Sequence, residues 1–118
     1  MQTTTDRSLG ILDALGYDLR ISLREPPGGT RRFAVTALGA ALSDTPLGEV
    51  GLTRAGLLYP ALTPDAERLG FDSAAPGGAL LMRVLVALAA ALDTDPDLTG
   101  DPLDTIPAHE RMGAAWVR

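Results

Sequence analysis

The stretch from Ala79 to Asp104 restricts this chain most, because a nearly unbroken apolar segment there meets a run of acids. From Ala79 to Leu92 the residues are ALLMRVLVALAAAL, and Arg83 is the one charge among them. From Asp93 to Asp104 they are DTDPDLTGDPLD, with five of the chain's fifteen acids and no Arg. The other ten acids match the ten Arg in number, so the formal net charge of −5 resides in that run. A helix over Ala79–Leu92 is apolar around nearly its whole circumference and must be buried on all sides. It is therefore a central core helix or part of a subunit interface, with Leu81, Leu85, Leu88 and Leu92 as the residues a partner would cover. At about 21 Å it falls short of the ~30 Å hydrocarbon core of a bilayer, so no membrane span is expected.

Length and composition bound the rest. A chain of 118 residues is expected to form a single domain with one core. Its apolar share of 46% is that of a globular protein, but an aromatic share of 4% means Ala, Leu and Gly do the filling. Such a core buries little area per residue, which favours gaining surface by self-association. The acidic pI of about 4.6 disfavours broad contact with nucleic acid or an anionic membrane. Residues 1–8 (MQTTTDRS) are polar and do not resemble a secretory leader, so the expected location is the cytoplasm, or a particle assembled there. The absence of Cys removes disulfides, thiol nucleophiles and thiolate metal sites. Without Lys there is no Schiff-base chemistry and no phosphate-binding loop ending in GK[ST]. His109 is the sole His and lacks the second His of a metalloprotease helix.

Along the chain, Thr5 or Asp6 is placed to cap a short helix with Leu9, Leu12 and Leu15 on one face and Gly16 as its stop. DLRISLR (18–24) and TRRFAVT (30–36) alternate with period two around Pro26-Pro27-Gly28-Gly29, which predicts a two-stranded hairpin. Thr36 is placed to cap a helix over ALGAAL (37–42). Further short helices are predicted over Pro46–Val50, Arg54–Tyr59 and Pro64–Leu69, the last with Thr63 as cap and Pro64 at its first position. Three prolines from Pro96 to Pro107 predict an extended coil. A final helix from Ala108 to Val117 would align Ala108, Met112 and Trp116.

Three groups of residues are candidates for function. Asp93, Asp95, Asp97, Asp101 and Asp104 take places one, three, five, nine and twelve of a twelve-residue window, which resembles the calcium loop of an EF-hand. The resemblance implies calcium as a ligand, yet Leu98 stands where that loop has its turning Gly, and Pro96 and Pro102 interrupt it. Pairing of these acids with Arg is the reading the residues favour. Arg20, Arg24, Arg31 and Arg32 ring the hairpin and suit recognition of phosphates or carboxylates, including the acids of a neighbouring subunit. RRFAVTALGAAL (31–42) resembles the end of a wing in winged-helix regulators, and in the dimerisation domains of small-molecule methyltransferases. That likeness covers about a dozen residues and implies a DNA-binding alternative, although no recognition helix precedes the hairpin in the usual order. Trp116, two residues from the end of the sequence, reads as a docking anchor.

The expected fold is α+β: a short N-terminal helix, a β-hairpin, and a mostly helical remainder centred on 79–92, with an extended Pro/Asp-rich segment before a C-terminal helix. The expected function is a non-catalytic protein–protein interaction or assembly subunit that forms a homo-oligomer, such as a structural part of a phage or injection-machine particle. A small DNA-binding regulator is the first alternative. A small-ligand-binding or catalytic domain with an apolar pocket beside the long helix is the second.

Overall fold

In the computed structural model, which describes residues 5–28, 30–39, 44–52, 58–72 and 75–117, the chain forms a single antiparallel sheet with two helices. The strands are β1 (Thr5–Ala14), β2 (Tyr17–Glu25), β3 (Arg32–Leu38), β4 (Thr45–Leu52), β5 (Leu58–Leu62) and β6 (Ala115–Val117). They lie in the order β5-β4-β3-β2-β1-β6, so the chain meanders across the sheet and returns at its end to the free side of β1. Between β5 and β6 come α1 (Pro64–Arg68) and α2 (Pro76–Thr94), then 3₁₀ turns over Pro102–Thr105 and Ala108–Glu110.

The period-two segments build the middle of the sheet. Leu19, Ile21 and Leu23 of β2 are buried, and they stand opposite Ala37, Val35 and Phe33 of β3, also buried. This makes one continuous apolar face. Leu80, Leu81, Val84, Leu85, Leu88 and Leu92 of α2 join the same core cluster, giving a two-layer arrangement of helix on antiparallel sheet. The other face of the sheet carries Arg20, Ser22, Arg24, Ala34, Thr36 and Glu49, all half-buried. The expected hairpin is thus present as two central strands of six.

Much of the expected helix content is replaced by strand. The predicted N-terminal helix is β1. Its Leu9 and Leu12 are three apart yet both buried, because the pairing slips between Ser8 and Gly10 and makes Leu9 an extra residue. A bulge of this kind turns period two into a local spacing of three, which mimics a helix. Leu15 and Gly16, with φ of 54° and 80°, form the two-residue turn to β2 rather than a helix stop. Pro46–Val50, also predicted helical, is β4 for the same reason: the register shift opposite Val35 and Thr36 leaves Leu47 as an extra, fully buried residue three before Val50. β3 continues to Leu38 through the expected cap at Thr36, and positions 40–42 of that predicted helix lie outside the described residues. Of the predicted helix over Arg54–Tyr59, positions 54–57 are outside the described residues and Leu58 begins β5.

The helical end of the chain also departs from expectation. α1 forms over Pro64–Arg68 with Pro at its start, close to the prediction, although the Thr63 hydroxyl donates to the Pro46 carbonyl at 3.0 Å instead of capping it. α2 is longer than the apolar run, at 19 residues, so by length and composition alone it would reach across a bilayer. Its apolar side is accounted for by burial, since 56% of its most apolar window is inside the fold. The Pro/Asp-rich segment is not an extended coil: Leu98, Leu103 and Ile106 are buried and tie it to α2. The predicted C-terminal helix is a 3₁₀ turn followed by a bend at Met112 and Gly113, with φ of 52° and 78°, and then β6. Pairing of Trp116 with Leu12 of β1 outweighs the weak helical spacing there.

Candidate functional site

α2 has an outer side as well as a buried one. Ala79, Arg83, Val86, Ala90 and Asp93 recur at four- and three-residue intervals and are all exposed, with Val86 at 54%. This is one stripe of the helix, opposite the leucines that face the sheet. Beside it runs the segment Thr105–Glu110, which forms the second wall of a groove of about 450 Å³. Met82, Val86, Ala87 and Ala90 line one wall, and Ile106 and Pro107 line the other.

The second wall is held in place by local hydrogen bonds. The Asp101 carboxylate accepts from the Leu103 amide at 2.9 Å and starts the 3₁₀ turn. Arg111 Nε donates to the Ile106 carbonyl at 2.8 Å, and the Ile106 side chain is buried. One ion pair bridges the two walls, with Arg83 Nη1 2.8 Å from Glu110 Oε2. The hydrogen bond from Arg83 holds the Glu110 carboxyl below its ordinary value; burial opposes this, and the charges of Arg83 and His109 add to it. The Thr105 hydroxyl, also on the groove, donates to the Pro102 carbonyl at 3.2 Å. The polar groups here satisfy one another and leave an apolar floor.

The residues singled out in the sequence are dispersed. Leu81, Leu85, Leu88 and Leu92 are buried beneath α2, inside a single chain. Arg24 and Arg32 enclose Glu49 on the open sheet face, at 2.7 and 3.3 Å, and Arg24 also reaches Asp6 at 3.3 Å. Two of the four hairpin Arg are thereby neutralised. Arg20 lies on the same face, between Ile11 and Thr36. Arg31 stands 3.9 Å from Asp93 of the same chain, at the limit of contact, whereas the hairpin Arg were expected to meet the acids of a neighbouring subunit.

Two acids of the run, Asp95 and Asp101, cap local backbone. Asp95 accepts from the amides of Asp97 and Thr99 and from the Thr99 hydroxyl, at 3.2, 2.8 and 2.6 Å. Among the described residues no three of His, Cys, Asp and Glu gather as a group able to hold a metal ion. Leu98, at the place of the EF-hand Gly, does take the left-handed conformation with φ of 51°, but its side chain is turned into the core. Trp116, on β6, is half-buried against the core, and its ring lies over Gly10, where a Cβ would stand 2.5 Å from Cζ2.

No family model, curated protein or solved structure matches this chain. An apolar pocket beside the long helix stands among the expectations from sequence, but the groove's second wall does not, because Pro96, Pro102 and Pro107 predict extended coil there. The signal is present at Leu98, Leu103 and Ile106, three apolar residues in a segment otherwise rich in Asp and Pro.

Proposed function

We propose that this chain is a non-catalytic protein-interaction module that self-associates through the outer stripe of α2 and the groove beside it. The observation that carries the reading is Val86, a β-branched apolar residue 54% exposed on the wall of a mainly apolar groove. A single exposed apolar side chain is ordinary, but one in a concave apolar site rimmed by an ion pair fits a docking surface. The groove's polar groups support this, since Arg83, Glu110 and Thr105 are engaged with one another or with backbone.

Light scattering over a range of concentrations tests it. The wild-type mass should rise above the 12.3 kDa of one chain as concentration increases. Val86→Glu, which places a charge on the exposed stripe without touching the core, should stay at that mass with an unchanged circular dichroism spectrum. A wild-type chain that remains at one-chain mass at millimolar concentration overturns the reading.

A second reading has its own support in the groove volume. About 450 Å³ falls in the range of roughly 300–1,000 Å³ typical of small-molecule sites. On that reading the chain binds an apolar ligand, and medium-chain fatty acids should raise the melting temperature of the wild type but not of Val86→Glu. Equal effects on both proteins would dismiss it.

A further inference from the structure

The stripe on α2 also carries information about what covers it. We infer that its occupant is the same stripe of a second copy, running antiparallel, with Arg83 facing the partner's Asp93; this rests on the self-association reading above.

The spacing of Ala79, Arg83, Val86, Ala90 and Asp93, alternating four and three residues, is that of a two-helix seam, and all five residues are exposed. The seam carries one cation and one anion, ten positions apart. A parallel pairing would set Arg83 against the partner's Arg83 and Asp93 against the partner's Asp93. An antiparallel pairing brings Arg83 to the partner's Asp93, and two-fold symmetry makes that contact twice. In the same register Val86 meets the partner's Ala90, again twice, so a larger side chain faces a smaller one. The two-fold axis then passes between Val86 and Ala90.

Both charged groups remain accessible to a second partner. Arg83 is 51% exposed and gives one nitrogen to Glu110, which leaves further N–H donors in its planar fork. Asp93 is 72% exposed, and its contact with Arg31 is 3.9 Å long. The seam from Arg83 to Asp93 is about 15 Å long, so even with Ile106 and Pro107 alongside it buries less than the ~800 Å² per partner of a standard interface. The association is accordingly weak and reversible.

Two charge reversals test the register, because either one alone places like charges opposite each other. Arg83→Glu and Asp93→Arg should each self-associate about tenfold more weakly than wild type. An equimolar mixture should recover the wild-type affinity. In the mixed dimer the carboxylate introduced at position 83 of one variant meets the guanidinium introduced at position 93 of the other. The unaltered Arg83 of the second variant meets the unaltered Asp93 of the first. Either reversal associating normally, or a mixture no tighter than its components, overturns the antiparallel register. If Val86→Glu still abolishes association in that case, the docking surface stands and only the register falls. A wild type that is monomeric throughout removes both.

Discussion

Leu98 turns the chain at a φ of 51° while its side chain is almost fully buried, at 3% exposure. The left-handed conformation costs a non-Gly residue roughly 1–2 kcal/mol, less than the roughly 2–5 kcal/mol that removing a buried Leu side chain costs. Burial therefore wins, and a position where an ion-binding loop would have Gly becomes an anchor for the segment. The expected consequence is an inverted order of variants. In regular structure Gly is about 0.5–1 kcal/mol less stable than Ala, whereas Leu98→Gly should be at least as stable as Leu98→Ala in urea unfolding. Glu110 gives a second check. Its folded-state carboxyl is held below the ordinary value of 4.5, first by the Arg83 hydrogen bond. A depressed carboxyl favours the folded state above the unfolded value, and that contribution is lost as pH falls through the folded value. Wild type should melt above Glu110→Gln near neutrality, and the gap should close in acid below 4.5. At Gly10 the expectation is steric: Gly10→Ala must displace the Trp116 ring and should lower stability by roughly 1–3 kcal/mol.

At the scale of elements, what can be read from the sequence follows from how regular each segment is. β2 and β3 keep strict alternation, so both the strands and their buried faces are legible. α1 is legible from Pro64 at its start and its acids in the first turn. β1 and β4 are not, because Leu9 and Leu47 are inserted by bulges and make neighbouring core residues fall three apart. The buried Leu9–Leu12 and Leu47–Val50 spacings belong equally to a helix, and only the partner strand decides between the two. The groove's second wall is illegible for a related reason, since it depends on tertiary burial of Ile106 rather than on any local pattern. Deletions separate a bulge from a ladder residue. Removing Leu9 loses a buried side chain but joins Ser8 to Gly10 without changing either residue's face, so the protein should fold with a lowered melting temperature. Removing Leu12 sends Asp13 towards the core and Ala14 outwards, and that variant should show no cooperative unfolding transition.

The whole molecule bears on how much it needs a partner. Its radius of gyration is 13.6 Å, close to the roughly 13.5 Å expected of a compact domain of this length. Its low aromatic content suggests a core too thin to stand alone. However, one cluster joins every strand from β1 to β4 with α1, α2 and the segment after it, and includes Phe33 and Phe71 almost fully buried. Among the described residues, the outer sheet face carries the ion-paired network of Asp6, Arg24, Glu49 and Arg32 rather than a covering layer. The described core is thus built within one chain, and the proposed association through α2 would add to stability only by mass action. A partner at tenfold over its dissociation constant adds about 1.4 kcal/mol, which for a domain of this size is roughly 3–6 °C in melting temperature. Wild type and Val86→Glu should therefore melt together when dilute. As concentration rises, the wild-type midpoint should climb by those few degrees while that of Val86→Glu stays fixed. If the dilute wild type instead unfolds far below its concentrated form, the outer stripe of α2 is part of the core of an obligate oligomer, and the single-chain core is not sufficient.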